Sequence, residues 1–157
     1  MSSVEFKILQ PDDQQLLKLI AGWYVEEWQI PVETTLERLS NITAGKAQFQ
    51  VLMILDGIPI ATGGIYDHVG LLDRLPHLNV YKKWLALVYT LPSERGRGYG
   101  AALCTYIQNY CRHQGLEKIH LFTHTAETLY RRLGWKALER TVIGNRDIVI
   151  MEKTVLL

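Results

Sequence analysis

Several features that would assign this chain to a specialised class are scarce. Among its 157 residues there are only two cysteines, no run of basic residues is longer than two, and the formal net charge is +1. This near-neutral balance argues against a protein that binds nucleic acid through bulk charge. No apolar run approaches the roughly 18 residues that a membrane-spanning helix needs, and the first residues lack the pattern of a secretory signal. We therefore expect a cytoplasmic protein that does not bind nucleic acid by bulk charge and does not bind a membrane.

The two cysteines are predicted to be free thiols. Cys104 and Cys111 fall on one predicted helix, where a rise of ~1.5 Å per residue separates them by about 10 Å, beyond disulfide reach. Buried cysteines are usually inert packing, and a nucleophile that forms an acyl-enzyme is the less favoured alternative. The five histidines are scattered, and no ligand spacing recurs, so we expect no metal site.

The apolar residues, 48% of the chain, recur at strand and helix spacings and predict a single domain over residues 1–157. The expected fold is α/β (α+β), with a mixed central sheet of about six or seven strands and four helices. The predicted strands are residues 4–9, 48–55, 58–66, 84–91, 117–122, 135–141 and 147–154. Two helices separate the first two strands, a third follows the fourth strand, and the last follows the fifth. Side-chain caps are expected at Asp12 or Asp13, at Thr34 and at Thr125.

Turn signals organise the first half of the sheet. Asp56-Gly57, between two strand-like runs, is the strongest short signal for a hairpin, so the sheet begins antiparallel. The central strand–helix–strand unit requires a parallel crossover, which makes the sheet mixed. Residues 67–83 lack periodicity. Because loops of this length are often functional, we interpret them either as the wall of a substrate site or as an ordinary surface loop.

The stretch Trp84–Ala102, WLALVYTLPSERGRGYGAA, carries the strongest functional signal. An apolar strand is followed by a loop rich in arginine and glycine, and a helical pattern then begins. Such a turn leaves backbone N–H groups free at the positive end of the helix dipole, which favours a phosphate. The motif Gly96-x-Gly98-x-x-Ala101 also fits a dinucleotide-binding fingerprint. However, it follows antiparallel hairpins, and too little chain remains to build the parallel sheet of that fold.

Written as Arg95-x-x-Gly98-x-Gly100, the same loop resembles motif A of the GCN5-related N-acetyltransferases (GNAT), in which it holds the pyrophosphate of acetyl-CoA. As in that family, the preceding strand ends in Val88-Tyr89-Thr90-Leu91-Pro92, and a long helix and a strand follow. A second segment, Leu129–Trp135, is similar to the family's short helix with a tyrosine followed by glycine and an aromatic residue. The resemblance covers nearly the whole chain.

The resemblance implies that acetyl-CoA is the co-substrate. In the family, the strand equivalent to residues 84–91 splays from its neighbour, often at a β-bulge, and its backbone binds the pantetheine arm. Thr123 stands where many members carry an asparagine that contacts the cofactor. The Arg95 and Arg97 side chains either add charge for the phosphates or form a solvated surface pair. The expected cofactor-binding residues are Val88, Thr90, Arg95, Gly96, Arg97, Gly98, Gly100, Ala101 and Thr123.

Tyr130 matches the tyrosine that lies near the thioester sulfur in the family. The resemblance therefore implies a general acid, because a phenol of pKa ~10 can protonate a departing thiolate of pKa ~8.5 to 9. The alternative is a tyrosine that only packs. The identity of the general base is not decided by the sequence. Glu27 and His120 are the predicted candidates, and proton transfer through water is the alternative. The full set of candidate bases is Glu26, Glu27, Asp67, His68, His120 and His124.

The expected function is the transfer of an acetyl group from acetyl-CoA to a primary amine, directly and within a ternary complex. The acceptor could be a small molecule or a protein N-terminus. The alternative from another class is a CoA-binding sensor or regulator without catalysis. We expect a monomer or a homodimer, since the C-terminal hairpin can pair across a dimer in this family.

Overall fold

The computed structural model of the protein describes residues 2–156. Its strands are β1 (Val4–Ile8), β2 (Phe49–Leu55), β3 (Ile58–Tyr66), β4 (Trp84–Thr90), β5 (Lys118–Thr123), β6 (Lys136–Ile143) and β7 (Arg146–Thr154). Its α-helices are α1 (Gln14–Trp28), α2 (Val32–Ala44), α3 (Leu71–Arg74), α4 (Tyr99–His113) and α5 (Glu127–Arg132). Every predicted strand is present, and no strand end differs from its expected position by more than two residues.

The strands form one sheet in the order β1-β2-β3-β4-β5-β7-β6. Neighbouring strands are antiparallel except β4 and β5, which are parallel. The Asp56-Gly57 turn joins β2 to β3, and its two residues have φ angles of 49° and 82°, as the commonest hairpin turn requires. The mixed sheet and its first hairpin are therefore confirmed. The parallel pair lies at the centre of the sheet.

Two hydrophobic cores flank the sheet because side chains alternate across each strand. Helices α1 and α2 cover one face, around Tyr24 and Trp84. Helices α4 and α5 cover the other face, around Leu103 and Tyr130. Within residues 2–156, no helix is both long enough and apolar enough to cross a membrane.

The predicted loop at residues 67–83 contains the short α3 and a 3-10 turn, Pro76–Val80. Three leucines, Leu71, Leu72 and Leu78, are buried in the core under α1 and α2. Their burial holds a segment that is too short to show helical periodicity in the sequence. The described part of the chain therefore has five α-helices where four were expected.

The caps expected for the first two helices do not form. Helix α2 begins at Val32 with Pro31 at its N-cap position, so Thr34 lies inside the first turn and the predicted capping box is wrong. Pro31 has an extended ψ of 143° and acts only through its carbonyl, which accepts the N–H of Thr35 at 3.3 Å. Asp13 does precede α1, but its carboxylate accepts the N–H of Gln10 at 2.7 Å and makes no bond to the helix.

Candidate functional site

Strand β4 carries a bulge at the centre of the sheet. Leu87 has a φ of 57°, and the pairing of β3 with β4 shifts in register between Thr62 and Gly64. On its other edge, β4 pairs with β5 at one position, Trp84 opposite His120. Beyond this position the two parallel strands separate. The splayed strands implied by the family resemblance are therefore confirmed, and the second half of β4 has backbone groups without a β5 partner.

Two adjacent glycines in β3 allow close approach of the neighbouring strands, Gly63 next to the bulge in β4 and Gly64 next to β2. A Cβ at Gly63 would lie 3.2 Å from Val88 Cγ2. A Cβ at Gly64 would collide with the amide oxygen of Gln50 and lie 2.8 Å from the carbonyl oxygen of Phe49. Sequence analysis did not single out this glycine pair, although glycine inside a strand pattern is a signal for a bulge or a close backbone approach.

The separated strands enclose a cleft of about 490 Å³. On the face covered by α4 and α5 it is lined by Val88, Leu121 and Tyr130. On the opposite face the lining includes Tyr66 and residues 68–70. The cleft therefore opens through the sheet from one face to the other. Part of the segment predicted to be the wall of a substrate site does lie along it.

The glycine-rich turn after β4 has the backbone geometry of an anion site. Gly96 and Gly98 have φ angles of 78° and 85°, which glycine adopts at little cost. Gly98 is the N-cap of α4, and the N–H of Ala102 donates to its carbonyl at 3.0 Å. The amides of residues 99–101 therefore have no helical acceptor and lie at the positive end of the helix dipole. The turn fits a phosphate or pyrophosphate group.

The two arginines of the turn contact carboxylates of the protein. Arg95 Nη2 lies 3.1 and 3.2 Å from the two carboxylate oxygens of Glu27, and Arg95 Nε donates to the carbonyl of Thr90 at 2.8 Å. Arg97 lies 3.6 Å from Glu94 and is largely exposed. The side chain of Arg95 thus ties the turn to α1 and to the end of β4. Glu27, a candidate base, is engaged by that same guanidinium.

Tyr130 lines the cleft, and both Tyr130 and Cys104 are buried in the core under α4 and α5. Burial, with a further contribution from Cys104, raises the pKa of Tyr130 far above its ordinary value. The phenol is therefore protonated at neutral pH, and its burial makes it a weaker acid than an exposed tyrosine. Burial also raises the pKa of Cys104 to about 11, which keeps that thiol in its poorly nucleophilic form. Cys104 and Cys111 are both buried and free, as predicted.

Thr123 lines the cleft at the end of β5. Its hydroxyl oxygen accepts the N–H of Ala126 at 3.0 Å, so Thr123 holds the start of α5. The expected cap at Thr125 is therefore wrong. This bond occupies the side chain of Thr123, and the backbone of Thr123 continues the ladder opposite Val149 of β7.

The histidine candidates for the base occupy different places. His68 and His124 line the cleft, whereas His120 is not part of its lining. His120 Nε2 lies 3.0 Å from Glu152 Oε2, and the ring stacks on Tyr81 with centroids 4.5 Å apart. Burial lowers the pKa of His120, although its contact with Glu152 opposes the change. Among the described residues, no group of three potential metal ligands was found.

A buried hydrogen-bond network supports the bulge from the α1 side. The hydroxyl of Tyr24 donates to the carbonyl of Leu87 at 2.6 Å. The side-chain amide of Gln50 donates to Tyr24 at 3.1 Å and to Thr62 at 2.8 Å, and it accepts from the hydroxyl of Tyr66 at 2.7 Å. The network therefore connects α1, β2 and β3 to the bulged residue. Its sequence signal is a lone glutamine within the apolar run FQVLMIL.

Comparison with known proteins assigns the family. A model of the acetyltransferase (GNAT) family matches residues 14–135. The chain belongs to the GNAT family. The match includes the glycine-rich turn and Tyr130, and GNAT membership supports acetyl transfer in general terms. A search of curated protein sequences found no significant match.

Solved structures share the GNAT fold along the whole chain. An aminoglycoside 6'-N-acetyltransferase from Enterococcus faecium is 14% identical, with a TM-score of 0.76 over 98% of each chain. An aminoglycoside 6'-N-acetyltransferase complexed with coenzyme A is 13% identical, with a TM-score of 0.75 over 98% of each chain. A GNAT acetyltransferase from Streptococcus pneumoniae is 15% identical, with a TM-score of 0.72 over 97% of this chain and 99% of the other. Identities this low establish the fold alone.

Proposed function

We propose that residues 1–157 are one acetyl-CoA-dependent N-acetyltransferase domain that transfers an acetyl group directly to a primary amine. The observation that carries this proposal is the cleft at the β4 bulge. It brings the free backbone of Val88 and the phenol of Tyr130 to one space, next to a turn that fits a pyrophosphate. A backbone donor, a protonated acid and an anion site are the parts that acyl transfer from a thioester requires.

In the proposed complex, acetyl-CoA occupies the side of the cleft covered by α4 and α5. The amides of Gly98 to Ala101 bind the pyrophosphate, with Gly96 allowing the turn to approach it closely. The backbones of Val88 and Thr90 bind the pantetheine arm, and Thr123 borders the arm at the end of β5. The relative solved with coenzyme A supports this choice of cofactor. No role for a metal is proposed.

Acetyl transfer then proceeds in one complex. The nitrogen lone pair of the neutral amine attacks the thioester carbonyl, while the N–H of Val88 stabilises the developing oxyanion. The tetrahedral intermediate collapses with cleavage of the C–S bond, and the leaving thiolate takes the proton of Tyr130. The nitrogen loses its proton to a base or to water. The tyrosine is then reprotonated by that base or by water. Of the predicted bases, Glu27 is paired with Arg95 and His120 is not part of the cleft lining, whereas His68 and His124, from the wider set of candidates, line the cleft itself.

Initial-rate kinetics test direct transfer. With both acetyl-CoA and amine varied, a ternary complex gives intersecting double-reciprocal lines, whereas an acyl-enzyme gives parallel lines. The Cys104→Ala variant is the matched control, and we expect it to keep the intersecting pattern. Parallel lines that disappear in that variant would contradict direct transfer.

The alternative function is a CoA-binding sensor without catalysis. Tight acetyl-CoA binding in calorimetry, together with no CoA release for any amine, would favour it. The aminoglycoside acetyltransferases among the relatives make small amines one acceptor class to assay, and a protein N-terminus is the other. A cytoplasmic location and a monomeric or homodimeric state remain predictions.

A further inference from the structure

The side of the cleft opposite the cofactor has an uneven distribution of charge. Two arginines line the cleft, Arg38 from α2 and Arg146 at the start of β7. Two histidines, His68 and His124, line it as well. Within residues 2–156, no aspartate or glutamate side chain is part of this lining. The two side chains of the lining that are always charged at neutral pH, Arg38 and Arg146, are therefore both cations.

Arg38 and Arg146 differ from the arginines that are held by acidic side chains. Arg95, Arg97 and Arg140 each contact a carboxylate of the chain. In the described part of the chain, neither Arg38 nor Arg146 takes part in an ion pair. Their guanidinium groups are thus available to a ligand.

Acidic residues lie close to this region without being part of the cleft lining. Glu27 is paired with Arg95 at 3.1 Å, and Asp73 lies 3.0 Å from His68 on the exposed surface. Glu37 lines a neighbouring cavity of about 360 Å³, which shares Arg38, Tyr66 and His68 with the main cleft. In the cleft, a polycationic acceptor would therefore be repelled by two unpaired arginines, and no carboxylate of the described lining would attract it.

We propose that the acceptor amine carries an anionic group, a carboxylate or a phosphate, which Arg38 and Arg146 bind in the cleft. This inference rests on the proposed function and names the substrate class of the same site. Guanidinium groups suit such an anion because their planar N–H donors match its oxygens in a bidentate geometry. The aromatic residues Trp28 and Tyr66, which also line the cleft, favour an acceptor with an apolar body.

The cationic lining also has a consequence for the chemistry. A positive charge close to an amine disfavours its ammonium form, and attack requires the neutral form. A bound carboxylate compensates one of the two arginine charges, and the remaining positive charge makes it easier for a nearby amine to lose its proton. This effect reduces the need for a strong side-chain base.

The test compares matched amines with wild-type protein and acetyl-CoA. The probe pairs are L-phenylalanine with L-phenylalaninamide and phosphoethanolamine with ethanolamine, and the cationic probes are spermidine and kanamycin. CoA release is followed by thiol titration. We expect at least one anionic probe to exceed its neutral partner in kcat/KM by about tenfold or more, as expected for a charge-assisted bond. The better anionic probe decides between carboxylate and phosphate.

Three variants locate the effect. Arg38→Gln and Arg146→Gln should each raise KM for the preferred anionic probe by about tenfold, without changing the KM for its neutral partner. Acetyl-CoA affinity, measured by calorimetry, should stay within about twofold of wild type. Arg112→Gln is the matched control, because Arg112 lies at the end of α4 and bonds to Asn109. It should behave as wild type in every assay.

The outcomes separate this inference from the proposed function. A preference for spermidine or kanamycin, or no response to either cleft substitution, would overturn the inference while leaving an acetyltransferase. If the protein binds acetyl-CoA but releases no CoA with any of the probe amines, the result would contradict the proposed function. In that case, calorimetry of the same probes with the CoA-saturated protein still tests the inference. The anionic member of a pair must bind more tightly than its neutral partner, and R38Q must remove the difference.

Discussion

The two sides of the cleft differ in whether backbone or side-chain groups form them. The cofactor side is mostly backbone from one continuous stretch, with the bulge at Leu87 and the free amides after Gly98. The acceptor side is made of side chains from α1, α2, the segment after β3 and β7. A backbone site follows from local conformation, whereas a side-chain site needs several distant positions to meet. The first can therefore be common to a family, while the second can differ between members.

The largest effect is expected at Tyr130, which supplies the acid on the backbone-built side. Tyr130→Phe removes the proton donor and should lower kcat by about 10²-fold, within the range that general acids contribute. Acetyl-CoA affinity should be unchanged because the ring remains. Steady-state kinetics and calorimetry measure the two quantities. Tyr110→Phe, outside the cleft lining on α4, is the control, and wild-type turnover in the Tyr130 variant would exclude the assigned role.

The next effect tests the close approach of β2 to β3 at Gly64, beside the bulged strand. Gly64→Ala places a methyl group against Gln50 and the carbonyl oxygen of Phe49, and overpacking of this kind should lower the free energy of unfolding by about 1 to 3 kcal/mol. Urea denaturation measures the change. Gly22→Ala is the matched control, because a Cβ there meets no atom within 4 Å. That control should be neutral or slightly stabilising, as expected for alanine in a helix.

A smaller effect should follow from the network behind the bulge. Tyr24→Phe leaves the carbonyl of Leu87 and one donor of Gln50 without their partner, and should lower the free energy of unfolding by about 1 to 2 kcal/mol. Because Leu87 precedes Val88, kcat should fall several-fold more than acetyl-CoA affinity. Tyr106→Phe is the control. A Tyr24 variant that loses affinity and keeps kcat would show that the network supports binding and not the transfer step.

The smallest effect is expected at His120, which lies outside both sides of the cleft. His120→Gln should change kcat at pH 7.5 by less than about twofold, since a base must reach the proton that it removes. A loss above tenfold, with the fold intact, would instead support His120 as the base.

The same histidine predicts a pH dependence of stability. Burial lowers the pKa of His120 in the folded state, so the unfolded chain takes up its proton more readily below the ordinary value near 6.5. His120 therefore opposes folding as the pH falls from about 6.5 to its folded-state pKa, and does not do so above 6.5. Urea titrations at pH 7.5 and 5.5 should show a smaller loss of stability in His120→Gln than in wild type. An equal loss in both proteins would contradict this prediction.

Much of the fold could be predicted because its signals are local. Strand positions follow from alternation, and the Asp56-Gly57 hairpin from the φ angles that those residues tolerate. Helix caps were less predictable. Thr34 and Thr125 have side chains that can cap a helix, but the N-cap positions are occupied by Pro31 and Ala126. The choice between adjacent capping residues depends on where the packed helix ends, and packing is not visible in the sequence.

The sequence by itself determined the glycine turn, the strand before it and the tyrosine after it, because each depends on residues that are close along the chain. The tertiary structure alone decided which ionisable groups face the cleft. It placed Arg38 and Arg146 there, paired Glu27 with Arg95, and buried His120 against Glu152. These contacts join residues that are far apart in the chain. Their distances are set by how the helices pack on the sheet, which no local pattern of residues records.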